Sequence, residues 1–108
     1  MMIELPAVVA DYFNADNAHD ADGVAACFGE DGEVRDEHER HQGHDAIRAW
    51  KRATGAKYAA TIAPLDCTLT ARGCVIKGEV SGNFPGSPVV LGFDFQLAGA
   101  KIAALEIR

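Results

Sequence analysis

The residues whose types could do chemistry are concentrated at positions 31–50, which read DGEVRDEHERHQGHDAIRAW. Five acidic residues precede His41, and three of the chain's four histidines lie within the stretch. Carboxylates and imidazoles are the side chains that most often transfer protons in active sites. If residues 33–38 form a regular strand, Asp36 and His38 share one face of it. The pattern therefore predicts a proton-transfer site built around Asp36.

The same residue types also bind metal ions, so a metal site is the alternative reading of this stretch. Asp36, His38 and His41 could supply ligands, but an H-x-x-H spacing alone does not fix a set with an open position. The three cysteines contain no C-x-x-C pair, and their odd number indicates no disulfide framework. We expect no metal ion and no cofactor.

The bulk composition limits the partners that the chain can have. Its 108 residues carry a net charge of −6, which is the wrong sign for a nucleic-acid surface. No apolar run approaches the roughly 20 residues that cross a bilayer, and the first residues lack the pattern of a signal peptide. We expect one cytoplasmic domain, residues 1–108, that binds neither nucleic acid nor membrane.

Helices are predicted to dominate the first half of the chain. Apolar residues at helical spacing predict a first helix over residues 3–17, with Pro6 in its first turn. A second helix should begin at Asp20 or Asp22 and end at Phe28. A short strand over 33–38 and its partner over 40–42 lead to a third helix over 44–54, which Gly55 should end.

Strands are predicted to fill the second half. Alternating patterns cover residues 57–63 (resuming at 65–69), 74–80, 89–97 and 101–107. Helices followed by consecutive strands are typical of an α+β fold whose antiparallel sheet is covered by helices on one face. The late strands carry apolar residues on both faces, so we expect the outer sheet face to form a homodimer.

Two motifs carry a resemblance to a known family. F-x-x-D-x-x-V-x-D at residues 28–36 and Q-G-x-x-A-I-R-x-W at 42–50 resemble the SnoaL-like polyketide cyclases and ketosteroid isomerases of the nuclear transport factor 2-like superfamily. The resemblance covers nearly the whole chain in element order. It implies a cone in which a strongly curved, mostly antiparallel sheet wraps around three N-terminal helices, in the order α-α-β-β-α-β-β-β-β, and encloses a pocket for a small apolar molecule.

The resemblance also implies roles for two residues. In the ketosteroid isomerases a general base follows a valine late in the first strand, where this chain has Asp36. A tyrosine eight residues before the aspartate that opens the second helix donates to an oxyanion, and Tyr12 stands eight before Asp20. The isomerases' second, protonated aspartic acid would fall near Leu91, which cannot donate a hydrogen bond.

The candidate site therefore has a catalytic part and a ligand-binding part. The catalytic candidates are Asp36, Tyr12 and His38. The ligand-binding candidates are mostly apolar or aromatic, and they are Trp50, Phe13, Phe28, Leu91, Phe93, Phe95 and His41. Two functions stay open: a cofactor-independent isomerase, cyclase or dehydratase acting on a carbonyl compound, and a non-catalytic ligand-binding or dimerisation module of the same fold.

Overall fold

Three helices supply one layer of the computed structural model, which describes residues 4–108. They are α1 (Ala7–Asn17), α2 (Ala21–Ala26) and α3 (His44–Tyr58). Pro6 precedes the first helical residue, and the Asp20 side chain caps α2 by accepting the Gly23 N–H at 3.0 Å. The predicted start of the first helix at Ile3 lies outside the described residues.

Among residues 4–108, seven strands form one sheet in the order β2-β1-β7-β6-β5-β3, with the two-residue β4 paired to β5. All neighbours are antiparallel except β1 and β7, which are parallel. The predicted α+β class and element order are confirmed, with β4 as a fifth strand after α3. The strands are β1 (Phe28–Asp36), β2 (Glu39–Gln42), β3 (Thr61–Pro64), β4 (Thr68–Leu69), β5 (Gly73–Ser81), β6 (Val89–Ala98) and β7 (Lys101–Ile107).

The end of α3 differs from the sequence prediction. Gly55 does not stop the helix, which continues to Tyr58, and the strand predicted to begin at residue 57 begins at Thr61. Glycine inside a helix costs only about 1 kcal/mol relative to alanine, which tertiary contacts can offset. The helix ends where Ala59 adopts a left-handed conformation (φ 48°) and donates its N–H to the Gly55 carbonyl.

The inner face of the sheet carries the core. Cross-strand neighbours such as Cys74, Phe95 and Leu105 are fully buried against the helices. A bulge between β6 and β7 shifts the register after Ile102, so that Ile102 and Leu105 are both buried. Regular alternation along residues 101–107 predicts that these two residues face opposite sides of the sheet, and the bulge makes that prediction wrong.

The outer face of the sheet is more polar than its strand patterns predict. Alternation away from the buried residues places Lys77, Glu79 and Asp94 on that face beside the half-exposed Val90. Arg108 spans Asp94 and Glu106 there, at 3.0 and 2.7 Å. The homodimer through this face stays a prediction, and any such interface would cover these charges.

Within residues 4–108 no helix combines the length and the apolar character that crossing a bilayer requires.

Candidate active site

A cavity of about 410 Å³ opens between the helices and the inner face of the sheet. Most of its wall is apolar, but four charged side chains line it as well. A pocket of several hundred cubic ångströms with an apolar wall and a few polar groups is typical of small-molecule sites. The lining residues are Asp16, Asp36, Glu37, Trp50, Lys51, Thr54, Tyr58, Ala60, Ile62, Val80, Phe84, Pro85, Val89, Leu91, Phe93 and Ile107.

Asp36 is the last residue of β1 and lines this cavity half-buried. Its Oδ2 accepts a hydrogen bond from Trp50 Nε1 at 3.1 Å. Burial raises the pKa of the Asp36 carboxyl above its usual value, and the Trp50 bond opposes part of that rise because it favours the charged form. A carboxylate in this setting is a stronger base than one in water.

The two candidate histidines lie outside the cavity wall. β1 ends at Asp36, and Glu37 and His38 form a tight turn in which both residues have positive φ (52° and 64°). The turn breaks the alternation that would have put His38 beside Asp36, so His38 is exposed and that prediction is wrong. His41 is half-buried on β2, with its ring 6.1 Å from the Trp50 ring.

Tyr12 is a core residue and is absent from the cavity wall. Its side chain is fully buried, edge-on to Phe28 and Phe95, and its hydroxyl has no hydrogen-bond partner among residues 4–108. Burial, followed by the nearby Asp16 carboxylate, raises the pKa of Tyr12 well above its usual value. Tyr12 therefore does not line the cavity, and its role as an oxyanion donor stays a prediction.

The predicted ligand-binding residues divide into two groups. Trp50, Leu91 and Phe93 line the cavity. Phe13, Phe28 and Phe95 are buried but do not line it, and they pack edge-on with Tyr12 or one another in the core. Leu91 and Phe93 alternate with outward residues of β6, which is why the strand pattern placed them correctly.

A buried ion pair completes one wall of the cavity. Lys51 on α3 donates from Nζ to Asp16 Oδ1 on α1, and both residues line the cavity while being only 7% and 2% exposed. Lys51 Nζ also lies over the Trp50 ring, 5.9 Å from its centroid. From the sequence, a charged side chain on the third helix is expected to point to water, and this expectation is wrong for Lys51.

The signal for this pair was present in the helical spacing. Lys51 follows Ile47 by four residues, and Asp16 follows Val9 by seven, so each lies on the buried stripe of its helix. Lys51 was assigned to solvent because its side chain is charged, and Asp16 was interpreted only as a weak helix former near the end of the first helix. A charged residue at a stripe position indicates a buried pair when a second helix offers the opposite charge.

Aromatic residues surround the more exposed end of the cavity. Tyr58, in the last turn of α3, donates its hydroxyl to Glu37 Oε1 at 2.6 Å and packs edge-on against Phe84, with ring centroids 5.9 Å apart. Glu37 belongs to the turn after β1, and Phe84 to the loop before β6. Tyr58 was missed in the sequence because α3 was predicted to end before it.

The depth of the cavity depends on a glycine. Gly78 is the inner-face residue of β5 opposite Leu91. A Cβ built there would approach Phe93 Cε1 to 2.8 Å and Ile62 Cγ2 to 2.9 Å, and both residues line the cavity. The absence of a side chain at position 78 therefore gives Phe93 and Ile62 their present positions.

The sequence matches the SnoaL-like domain over residues 9–103, which is most of the chain. The chain belongs to the SnoaL-like domain family. Family membership agrees with the observed order of helices and strands.

Solved structures agree with this family. A provisionally named polyketide cyclase of Sinorhizobium meliloti is 39% identical, with 96% of this chain and 95% of that chain covered and a TM-score of 0.93. A protein of Catenulispora acidiphila with a ketosteroid isomerase-like fold, solved with trimethylamine, is 17% identical over 97% and 86% of the two chains (TM-score 0.86).

One structural neighbour has a named reaction. An epoxide hydrolase/cyclase-like enzyme of pyran ring formation in salinomycin is 19% identical over 93% of this chain and 85% of its own, with a TM-score of 0.79. At that identity the likeness concerns the fold alone. No curated protein gives a significant match.

The side chains offer little to a metal ion. Within residues 4–108 no group of three or more His, Cys, Asp or Glu side chains is arranged to hold one. Three carboxyl groups line the cavity, and two of them have different surroundings: Asp36 lies beside an indole N–H and Asp16 beside an ammonium group. Groups in such different settings can take different roles in moving a proton.

Proposed function

We propose that this SnoaL-like protein is a small enzyme that isomerises or cyclises an apolar carbonyl compound, with Asp36 as the general base. The observation that carries the proposal is the Asp36 carboxyl in a largely apolar cavity, with its pKa raised by burial and its position held by Trp50. A base is most effective when its pKa approaches the working pH.

The proposed reaction begins with removal of a proton from the carbon beside the carbonyl group. Asp36 takes that proton, the electron pair of the C–H bond forms a carbon–carbon double bond, and the π pair of the carbonyl group moves onto its oxygen, giving an enolate. In an isomerisation Asp36 returns the proton to another carbon of the same molecule. In a cyclisation the enolate carbon attacks a second carbonyl of the same molecule, and protonated Asp36 neutralises the alkoxide that forms.

The non-catalytic alternative predicts that Asp36 is engaged in a structural contact, for example with an arginine such as Arg35, Arg40 or Arg48, or that side chains fill the cone. The arginines have other partners: Arg40 and Arg35 pair with Glu33, and Arg48 pairs with Asp22 and Asp45. Among the described residues Asp36 has no ion pair with an arginine. This arrangement supports the enzyme over the binding module.

The experiment is exchange of the protons beside the carbonyl of 2-tetralone, an apolar enolisable ketone, followed by NMR in D₂O. We expect the protein to accelerate exchange over buffer, and Asp36→Asn to reduce that acceleration by roughly 10²–10⁴-fold. Asp94→Asn is the matched control, because Asp94 is a carboxylate on the outer sheet face that pairs with Arg108. Equal exchange with Asp36→Asn, or none with the unaltered protein, would contradict the proposal.

A further inference from the structure

The cavity holds a cation that the proposed reaction does not yet use. Lys51 is 7% exposed and lines the cavity, and its ammonium group has three N–H donors. Among residues 4–108 its one hydrogen bond is to Asp16. At least one further donor is thus available to a molecule in the cavity.

The ion pair is more than a way of joining two helices. Burying two opposite charges costs so much desolvation that a well-packed apolar pair in the same place is often equally or more stabilising. Asp16 and Lys51 connect α1 to α3, a task that two apolar side chains of similar volume would perform without that cost. The charge is therefore better explained by what the cavity contains than by the contact between helices.

Lys51 and Asp36 are also connected through one side chain. The ammonium group lies 5.9 Å from the centroid of the Trp50 ring, and the same indole donates its N–H to Asp36 at 3.1 Å. A molecule lying along the indole can meet the carboxylate with one atom and the ammonium group with another. This spacing suits a compound whose acidic C–H and oxygen lie a few bonds apart.

We propose that Lys51, held by Asp16, binds the oxygen of the ligand that becomes negatively charged when Asp36 takes the proton. The proposal rests on the proposed function and adds the group that replaces the oxyanion donors of Tyr12 and position 91. It also defines the ligand as a carbonyl compound whose oxygen reaches Lys51. During the step Asp36 becomes neutral, the ligand oxygen becomes negative, and Lys51 keeps its proton, so the total charge in the cavity is unchanged.

The charge on Asp36 should control how strongly the cavity binds an anion. Before the reaction the carboxylates of Asp36 and Asp16 oppose the binding of an anion, whereas after proton transfer Asp36 is neutral. Asp36→Asn reproduces that neutral state. An anion that resembles an enolate should therefore bind best to Asp36→Asn, and its affinity should depend on Lys51.

The probe is 4-nitrophenol, whose neutral and anionic forms differ in absorption, and binding is followed through quenching of Trp50, the chain's one tryptophan. We expect the bound phenol in Asp36→Asn to ionise at least about tenfold more readily than in water, because a nearby cation favours the anion. In Asp36→Asn/Asp16→Leu/Lys51→Met the bound phenol should ionise no more readily than in water. Asp16 and Lys51 are replaced together so that neither buried charge is left without its partner.

Two controls separate loss of the cation from loss of the cavity. 4-Nitroanisole, a neutral ether of the same ring, should bind equally to both variants. Lys57→Met, made in the Asp36→Asn protein, removes an exposed cation of the same helix. It should leave phenolate binding as it is in Asp36→Asn alone. If the triple variant loses the ether too, Asp36→Asn/Lys51→Gln replaces it, since glutamine can still donate to Asp16 without carrying the charge.

The outcomes are distinct from those of the exchange experiment. Phenolate binding that is equally strong without Lys51, a bound phenol that ionises no more readily than in water, or no binding of the phenol at all would each overturn the assignment. None of these measurements needs Asp36 to act as a base. Failure of exchange with intact phenolate binding would instead reject the proposed reaction and leave an anion-binding cavity.

Discussion

Trp50 Nε1 donates a hydrogen bond to Asp36 Oδ2 across 3.1 Å, from the middle of α3 to the last residue of β1. This bond favours the charged carboxylate, while burial favours the neutral acid, and burial is the larger effect. The basicity of Asp36 thus depends on a balance that one substitution can change.

Trp50→Phe should raise the pKa of Asp36 further, because it removes the hydrogen bond and keeps an aromatic wall. The acid limb of the pH profile for 2-tetralone exchange should move to higher pH than in the unaltered protein. Phe84→Leu, a change at a lining aromatic without a bond to Asp36, should leave the limb where it is. An unmoved limb in Trp50→Phe would mean that Asp36 does not control the rate.

The raised pKa of Asp36 also predicts a pH dependence of stability. Between its ordinary value of 3.8 and its higher folded value, the folded chain binds more protons at this site than the unfolded chain does. The contribution of Asp36 to the free energy of unfolding is therefore fully present below pH 3.8 and is lost as the pH rises through the folded pKa.

Asp36→Asn tests this directly, since asparagine does not titrate. The difference in the free energy of unfolding between the unaltered protein and the variant, measured by urea unfolding across pH 3–8, should fall with rising pH and then level off. Taking the difference cancels the pH-dependent contributions of other groups to the free energy of unfolding. One such group is Glu33, whose pKa is lowered by the Arg40 hydrogen bond. A difference that rises with pH would show that Asp36 is stabilised as a carboxylate.

Tyr12→Phe should leave stability unchanged or raise the free energy of unfolding by about 1 kcal/mol, because an unpartnered buried hydroxyl is removed. Tyr58→Phe is the contrasting variant. It loses a hydrogen bond to Glu37 and should cost about 0.5–1.5 kcal/mol at most. Loss of proton exchange in Tyr12→Phe, with the fold intact, would return Tyr12 to the catalytic group.

The Asp16–Lys51 pair should show strong coupling in a double-mutant cycle. Asp16→Leu alone should lower the free energy of unfolding by roughly 3–5 kcal/mol, because it leaves a buried ammonium group without its partner. Asp16→Leu/Lys51→Met should recover most of that loss, as both charges are then gone. Additive costs in thermal or urea unfolding would indicate that the two residues do not interact.

The homodimer through the outer sheet face is tested by the mass in solution. Light scattering coupled to size exclusion should give about twice the 11.5 kDa of one chain. Val90→Lys, a change at a half-exposed outer residue, should reduce the dimer fraction because it adds charge to the interface. A mass of one chain for the unaltered protein at micromolar concentration would reject the dimer.

The sequence predicted the fold well because most elements follow a clear period. The strand at Lys101–Ile107 and the start of α3 at His44 were predicted at their observed bounds. Three errors arose where one local feature changes the period: Gly55 inside a helix, the register shift after Ile102, and the turn at Glu37 and His38. In a fourth, Phe28 was predicted to end the second helix but begins β1. Tertiary contacts decide each of these, and a single sequence does not show them.

Some residues of the candidate site were predicted from the sequence and others were missed, again because tertiary contacts are not visible in a single sequence. Asp36 and Trp50 were found through motif spacing, and Leu91 and Phe93 through strand alternation. Lys51 was missed, because a charge is normally assigned to solvent until its partner is known, and Asp16 lies 35 residues away in the chain.

Gly78 gives the cavity a size that one substitution can change. Alanine at this position would displace the Phe93 ring and the Ile62 side chain, which both line the cavity. Asp36 and Lys51 lie on other elements, β1 and α3. The shape of the cavity can therefore change through β5 while the charged groups that line it keep their positions.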